Sequence, residues 1–164
     1  MALQSKLVVY AAIVGCLGLM GAILWYGTLD TPELEQVEIE LTNWELLSVN
    51  KIENTAKLEV TFLVKNPSEK TFTISLITYE LYADGKLLGS GQYSVADIPM
   101  PGRAIFSSGA EIPIKNTFEL NKSEVTNEIY QAILDNTITS IRAKGVVTTE
   151  SSWSIAEKEF DSKI

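Results

Sequence analysis

Few residues of this chain could support chemistry. The chain lacks at least one residue that most kinds of catalytic site require. The chain contains no histidine, and its one cysteine, Cys16, lies inside an apolar segment. It therefore lacks the usual nitrogen and sulfur ligands of zinc, copper and iron sites, and it lacks nucleophilic catalysis assisted by histidine. It also has no P-loop and no dinucleotide-binding fingerprint. We expect no metal and no cofactor.

The 21 aspartates and glutamates are the remaining candidates for catalysis, because a glycosidase needs only two carboxyl groups. Many of them, however, alternate with apolar residues, as Glu38 and Glu40 do between Val37, Ile39 and Leu41. This alternation is typical of a strand whose polar face meets water. The acidic residues are thus interpreted as a solvated surface, and we predict that the protein is not an enzyme.

One motif suggests a covalent modification. Asn121-Lys122-Ser123 matches the acceptor sequence for N-glycosylation. The same residues precede a segment with helical periodicity, so Asn121 or Ser123 could instead cap that helix. The two interpretations are compatible, and the sequence leaves both open.

An apolar segment near the N-terminus predicts where the protein works. Leu7 to Tyr26 is a run of 20 uncharged residues with Tyr10 near one end and Trp25 and Tyr26 at the other. A helix of that length spans roughly 30 Å, the thickness of the hydrocarbon core of a bilayer, and aromatic residues are enriched at membrane interfaces. We predict a retained transmembrane helix whose partner is the lipid bilayer.

Two alternatives to a retained anchor remain. A cleaved signal peptide usually has a shorter apolar region followed by small residues, whereas this segment ends in the bulky Leu24-Trp25-Tyr26. Ile13-Val14-Gly15-Cys16 is similar to a bacterial lipobox, which would place a lipid on Cys16, but ten further apolar residues follow it where a lipoprotein normally has a polar tether.

The charge distribution predicts the orientation. Lys6 is the only charged residue before the apolar segment, and the remaining 12 basic and all 21 acidic residues follow it, which gives that part a net charge of −9. By the positive-inside rule, residues 1–6 are cytoplasmic and the rest lies outside the cell membrane after a single pass. The negative charge also argues against nucleic acid as a partner. We assign 7–26 to the helix, 27–36 to an acidic linker and 37–164 to a folded domain.

The predicted membrane helix carries its small residues on one face. Ala11, Gly15, Gly18 and Ala22 are separated by four, three and four positions. Small residues allow helix backbones to approach closely within a bilayer. We therefore expect this face to pack against another transmembrane helix, either a second copy of the chain or a subunit of a complex.

The domain after the linker has mainly the two-residue period of strands. Leu58, Val60, Phe62 and Val64 share one face, and Asp84-Gly85 is a hairpin turn signal. A strand that starts at Phe72 changes parity, which predicts a bulge near Leu76. Further strands are predicted at 86–93, at 105–114 with Pro113 indicating an edge strand, at 141–147 and at 153–160, and residues 98–102 are predicted to form a crossing loop.

One segment has helical periodicity instead. Val125, Ile129, Ala132 and Ile133 form a helical stripe that Asn136 can terminate. Several short strands and one helix predict a mainly β fold: an antiparallel immunoglobulin- or fibronectin-like β-sandwich with one added helix, preceded by the transmembrane helix.

The domain resembles a known family in the order of its motifs. A strand ends in Asn66-Pro67-Ser68, a strand with Tyr79-Glu80-Leu81 follows, and a hairpin then places Gly85, Gly89 and Gly91 in the pattern Gly-x-x-x-Gly-x-Gly. Together these resemble the group 2 late embryogenesis abundant proteins, the family of the water stress and hypersensitive response domain. Ser68 departs from the asparagine that the family prefers. The resemblance implies a sandwich with one helix and a desiccation-related role, and it implies no catalytic residues.

These observations predict a membrane-anchored, extracytoplasmic, non-catalytic protein with a binding or protective role in stress. The alternative is a single-span accessory subunit of a larger membrane complex. Asn66-Pro67 has a structural interpretation, in which proline stops the strand and the asparagine amide bonds to the turn, and a functional one, in which the amide contacts a ligand.

Overall fold

A computed structural model describes residues 2–28, 31–95, 104–152 and 154–164 of the chain. Helix α1 (Ala2–Thr28) contains the whole of the predicted membrane segment and extends beyond both of its ends. It is long and apolar enough to cross a membrane. Its large apolar side chains, from Leu7 to Tyr26, are between 49% and 71% exposed, so burial against the described part of the sandwich does not account for the apolar composition of α1.

The remaining described residues form two short helices and eight strands. The helices are α2 (Thr31–Leu34) and α3 (Asn127–Leu134). The strands are β1 (Glu38–Asn50), β2 (Thr55–Lys65), β3 (Phe72–Ala83), β4 (Lys86–Ser94), β5 (Ile105–Phe106), β6 (Glu111–Asn121), β7 (Ile141–Glu150) and β8 (Ile155–Lys163).

The strands form two antiparallel sheets, which confirms the predicted β-sandwich. One sheet has the order β1-β2-β6, and the other has the order β4-β3-β7-β8 with β5 also paired to β3. Aromatic side chains meet between the sheets: the rings of Phe62 and Tyr79 lie 5.0 Å apart edge to face, and those of Phe62 and Phe160 lie 5.8 Å apart. The inward-facing residues of both sheets thus build one core.

The change of parity in β3 has the predicted cause. Phe72 and Ile74 are buried before it, and Ile77 and Tyr79 are buried after it. The pairing of β3 with β7 shifts register between Ile74 and Leu76, so one extra residue turns the rest of the strand over. The predicted bulge is confirmed.

The prediction of one strand over 105–114 is wrong. Residues Ile105 and Phe106 pair with β3 in one sheet, whereas β6 begins at Glu111 and pairs with β2 in the other. A turn separates them, in which Gly109 has a φ of +73° and the Ala110 amide donates to the Ser107 carbonyl. The chain therefore crosses between sheets here. The prediction that Pro113 lies on an edge strand is confirmed, because β6 ends its sheet.

The N-terminal boundary of α3 differs from that of the helix predicted from the sequence. The side chain of Asn121 caps a 3₁₀ turn (Lys122–Glu124), and α3 begins only at Asn127 without a side-chain cap. The C-terminal end agrees, because Asn136 has a φ of +53° and its amide donates to the Ile133 carbonyl. The predicted loop at 98–102 and residue 153 lie outside the described residues.

The segment predicted as an acidic linker contains structure that joins it to the sandwich. α2 lies within it, and the Leu34 side chain is completely buried in the core. The Thr149 hydroxyl donates a hydrogen bond of 3.3 Å to the Leu34 carbonyl, and the Lys158 ammonium donates one of 2.6 Å to the Val37 carbonyl. These contacts fix α2 and the start of β1 against β7 and β8.

Candidate functional site

A concavity of about 830 Å³ lies on the outer face of the larger sheet. Its floor is a cross-strand row in which Gly91 pairs with Tyr79, Tyr79 with Gly145, and Gly145 with Phe160. Because the aromatic side chains of this row point into the core, the row adds no side chain to the outer face. The walls come from the flanking rows and consist of polar side chains: Thr78, Glu80, Ser90, Gln92, Lys144, Glu159 and Asp161, with the apolar Val146. We call this concavity the outer groove.

Several charged groups of the outer groove are already paired. Asp161 accepts hydrogen bonds from the Arg142 guanidinium, and the Lys144 ammonium lies 3.6 Å from it. The Arg142 hydrogen bond holds the pKa of the Asp161 carboxyl below its usual value. The Tyr82 hydroxyl donates to Glu80, which raises the pKa of that phenol. The groove thus offers hydrogen-bonding and charged groups that are already engaged with one another.

Tyr79 shapes the groove from below. A Cβ at Gly91 would overlap the end of the Tyr79 ring, and a Cβ at Gly145 would overlap the Thr78 carbonyl oxygen. Glycine at both positions is therefore required for close packing rather than for a special backbone angle. The Tyr79 hydroxyl accepts a hydrogen bond of 2.8 Å from the Asn116 amide on β6, and burial raises its pKa to about 12.

The other glycines of the family-like hairpin have different positions. Asp84 and Gly85 both have positive φ, +46° and +80°, as a tight hairpin turn between β3 and β4 requires. Gly89 pairs with Leu81 next to a register shift, and a Cβ there would lie 3.2 Å from the Phe118 ring. Gly85 and Gly89 do not line the outer groove, whereas Gly91 does.

Asn66 is buried, and its side chain is fully used within the turn that follows β2. Its amide nitrogen donates to the carbonyl oxygens of Lys70 at 2.7 Å and Phe106 at 2.9 Å. Its amide oxygen accepts from the Ser68 backbone amide at 3.0 Å and the Ser68 hydroxyl at 2.8 Å. Pro67 follows it outside the strand. This geometry supports the structural interpretation, because no polar atom of the Asn66 side chain is left for a ligand.

The glycosylation candidate lies at the end of β6. The side-chain amide oxygen of Asn121 accepts hydrogen bonds from the Ser123 backbone amide at 3.1 Å and the Ser123 hydroxyl at 2.8 Å. The side chain is partly exposed. Both the capping interpretation and the modification remain compatible with this geometry, although the capped element is the 3₁₀ turn and not α3.

The candidate packing face of α1 is open. A Cβ added at Gly15 or Gly18 would meet nothing within 4 Å, and Ala11 and Ala22 lie on the same side of the helix. Cys16 is a free, exposed thiol on another side. None of the described residues outside this helix contacts the face. Among the described residues, no group of three or more His, Cys, Asp or Glu is placed to hold a metal ion.

The sequence interpretation missed two residues that organise the site. Asn116 connects the two sheets through its hydrogen bond to Tyr79. Its side-chain amide also donates a hydrogen bond of 2.9 Å to the Gln92 carbonyl. Ser68 completes the Asn66 turn, since its hydroxyl accepts from the Lys70 amide. The one available signal was that the polar Asn116 interrupts the apolar face of β6 between Ile114 and Phe118, but its partner lies 37 residues away in the chain.

No family model matches the chain, and no curated protein sequence matches it. A solved structure with a TM-score above 0.5 does share its fold. The chain is similar to the solution structure of AT1g01470 from Arabidopsis thaliana, with a TM-score of 0.56 and 18% identity over 77% of this chain and 78% of that one. It also matches a putative late embryogenesis abundant protein, At2g46140.1, with a TM-score of 0.42 and 15% identity over 93% of this chain and 87% of that one.

A third similar structure is a protein from Archaeoglobus fulgidus, with a TM-score of 0.46 and 16% identity over 80% of this chain and 95% of that one. At 18% identity, the similarity to AT1g01470 concerns the fold alone. The match to the Arabidopsis thaliana protein AT1g01470 independently supports the two-sheet architecture of the domain.

Proposed function

We propose that this chain is a membrane-anchored, extracytoplasmic and non-catalytic β-sandwich protein with a binding or protective role of the desiccation or stress type. The observation that carries the proposal is the contrast between two parts of the chain. The sandwich buries its apolar residues in one core and leaves no buried side-chain polar atom of the described residues unpaired. α1, in contrast, leaves its large apolar side chains between 49% and 71% exposed and needs a bilayer or a protein to cover them.

The outer groove supports binding rather than catalysis. It presents amide, hydroxyl and paired charged groups on a rigid sheet, which suits weak recognition of a polar ligand. The stress-type role rests on the resemblance to the group 2 late embryogenesis abundant proteins. A folded domain of this kind would protect by binding, because protection by hydration alone is expected of polar and poorly ordered chains.

The orientation in this proposal follows from Lys6 before the span and the acidic residues after it. Protease added to intact cells or spheroplasts should digest the domain after Gly27. Full protection of the domain in sealed cells, with digestion after lysis, would contradict the extracytoplasmic placement. The mass of the purified protein should include residues 7–26, whereas a lipid adduct on an N-terminal Cys16 would establish the lipoprotein alternative. A glycan would appear as added mass that Asn121→Gln removes.

The role is tested by survival after drying. Cells that lack the protein should survive drying less well than the parent, and the full chain should restore survival better than a version without α1. Equal survival of the deletion strain and its parent, under drying that kills a measurable fraction of both, would contradict the stress-type role.

A second candidate is favoured by the face of α1 formed by Ala11, Gly15, Gly18 and Ala22. A lone tether gains nothing from grouping small residues, but a helix that packs against another span does. The chain would then be a single-span accessory subunit of a larger membrane complex. Purification in a mild detergent followed by mass spectrometry of the associated proteins distinguishes the two functions.

A further inference from the structure

The span and the sandwich are separated by very little chain. α1 ends at Thr28 and α2 begins at Thr31. Three steps of about 3.8 Å keep these two Cα atoms within about 11 Å of each other. α2 is itself fixed to the sandwich through the buried Leu34 and the hydrogen bond from Thr149. Provided that α1 spans the bilayer, as the proposed function states, the sandwich cannot stand far from the membrane surface.

The contacts of α2 also identify the end of the sandwich that is held close. Thr149 lies one residue before the end of β7, and its hydroxyl oxygen also lies 3.3 Å from the Ala156 carbonyl oxygen near the start of β8. β1 begins at this end, next to the last residue of β2, because Glu38 pairs with Lys65. The membrane-proximal end thus contains the start of β3, β5, the end of β7 and the start of β8.

Two large apolar side chains are exposed at that end. Ile105 is 62% exposed and Ile155 is 65% exposed. They belong to one cross-strand row: Ile105 pairs with Thr73, Thr73 with Glu150, and Glu150 with Ile155. Paired residues point to the same face of a sheet, so both isoleucines lie on the outer face, about 14 Å apart across three strand spacings.

Exposed apolar residues elsewhere in the sandwich lie far from this row. Ile52 is in the turn between β1 and β2, and Leu87 follows the turn between β3 and β4, both at the opposite end. They are the natural reference positions, because they are also apolar and exposed, one more and one less than Ile105 and Ile155, but lie away from the span.

We propose that the row of Ile105 and Ile155 contacts the lipid headgroup region of the same bilayer that α1 crosses. The short tether keeps this end at a high effective concentration near the surface, so two isoleucines suffice to bias the orientation of the domain. Glu150 lies between them and is exposed, and an interfacial position lets its carboxylate stay hydrated. Glu33 in α2 and Glu35 just after it add negative charge near the membrane surface. This charge would repel anionic headgroups, so we expect an apolar contact that favours zwitterionic over anionic lipid.

The test uses the full chain reconstituted into phosphatidylcholine vesicles. In a Cys16→Ala background, four single-cysteine variants, Ile105→Cys, Ile155→Cys, Ile52→Cys and Leu87→Cys, carry a nitroxide spin label. Electron paramagnetic resonance then compares collisions with oxygen, which partitions into lipid, and with a water-soluble nickel chelate. We expect the ratio of oxygen to nickel accessibility at 105 and 155 to exceed the ratio at 52 and 87 by about threefold or more. Contact with lipid raises this ratio, whereas packing against protein lowers both accessibilities together.

Equal ratios at all four positions would overturn the inference. So would a high ratio at 105 and 155 that falls when the protein is diluted with more lipid in the vesicles, since another copy of the chain would then be the partner. Replacing a third of the lipid with phosphatidylglycerol should lower the ratio at 105 and 155, and an increase would contradict an apolar contact. All four positions are exposed, so circular dichroism should show an unchanged fold.

Extraction with alkaline carbonate separates this inference from the proposed function. A chain that stays with the vesicles but shows water-exposed labels at 105 and 155 retains its anchor and refutes only the surface contact. A chain that carbonate removes refutes the anchor, and the surface contact with it.

Discussion

The amide nitrogen of Asn116 donates a hydrogen bond of 2.8 Å to the hydroxyl oxygen of Tyr79, and this bond joins the two sheets of the sandwich. Tyr79 is only 2% exposed, and its ring packs edge to face on Phe62. The bond therefore satisfies the one polar atom that the ring carries into the core.

Replacing Asn116 with alanine should leave the Tyr79 hydroxyl without this partner. We expect the free energy of unfolding to fall by about 1–3 kcal/mol, the usual cost of an unsatisfied buried polar group. Chemical unfolding followed by circular dichroism measures it in the detergent-solubilised protein. Asn116 also bonds to the Gln92 carbonyl, so the same substitution in a Tyr79→Phe background is the control. An equal loss in both backgrounds would mean that the two residues are not coupled.

The stability should also depend on alkaline pH through Tyr79. Burial raises the pKa of Tyr79 to about 12 in the folded protein, and an unfolded tyrosine has a pKa near 10. The folded state retains the proton over this interval, so the contribution of Tyr79 is complete below about pH 10 and decreases as the pH rises towards about 12. The slope should reach at most about 1.4 kcal/mol per pH unit. Tyr79→Phe removes this part of the slope, and other tyrosines and lysines contribute equally to both proteins. Identical alkaline slopes would refute the assignment.

The two glycines beside Tyr79 should respond differently to alanine. At Gly145 the new Cβ overlaps the Thr78 carbonyl oxygen of the neighbouring strand, so relief requires that β3 and β7 separate, and we expect a loss above about 3 kcal/mol. At Gly91 it overlaps the end of the Tyr79 ring. The Tyr79→Leu background lacks those ring atoms. It should therefore reduce the cost of Gly91→Ala but leave the cost of Gly145→Ala unchanged. Thermal unfolding of the single and double variants decides this.

Asn66→Asp tests whether the buried amide has a structural role. The Asn66 amide nitrogen faces the carbonyl oxygens of Lys70 and Phe106, so a carboxylate there would meet two acceptors in a site that is 1% exposed. We expect a loss of roughly 3 kcal/mol or more at pH 7. Burial raises the pKa of the introduced carboxyl, so protonation should restore part of the stability as the pH falls towards 4.

The matched control for this prediction is Asn54→Asp. Asn54 is exposed in the turn between β1 and β2, and aspartate tolerates its positive φ of +54°. The change should alter stability by no more than about 0.5 kcal/mol. An Asn66→Asp protein as stable as the control at pH 7 would contradict the structural role and revive the interpretation of Asn66 as a ligand contact.

The sequence predicted those parts of the fold that depend on local patterns. The bulge near Leu76 could be predicted because the alternation of apolar and polar residues changes phase there. β1 was recognised only as far as Leu41, because register shifts between Leu41 and Asn43 and between Leu46 and Ser48 break the two-residue period twice after that residue. The split between β5 and β6 was missed because Ser107 to Ala110 interrupts two apolar runs of the same parity.

The candidate site was less predictable, because it depends on tertiary pairing. The family-like motif includes Gly91, but only the pairing of β3 with β4 and β7 shows that Gly91 and Gly145 both lie beside Tyr79. Asn116 and Tyr79 are joined across the sheets, and neither residue carries a local signal for the other. The resemblance likewise did not indicate the outer groove, because its walls come from strands that are distant in sequence.

The last prediction concerns the partner of α1. Replacing both Gly15 and Gly18 with leucine should release the protein from any complex held through the small-residue face, while insertion into the membrane stays intact. Leucine favours insertion but prevents close approach of a second helix. A Cβ at either position meets nothing within 4 Å, so the substitutions should not disturb α1 itself.

Ala12 and Gly21 provide the matched control. Each lies about a quarter of a turn from the centre of the small-residue face, given 3.6 residues per turn, so the Ala12→Leu, Gly21→Leu variant also replaces two small residues but leaves that face open. Co-purification in a mild detergent, with carbonate extraction as the test of insertion, should show loss of partners only for the Gly15→Leu, Gly18→Leu protein. Retention of the same partners in the same ratio would show that α1 acts only as an anchor. Any association would then belong to the sandwich, whose membrane-proximal row and outer groove are its candidate surfaces.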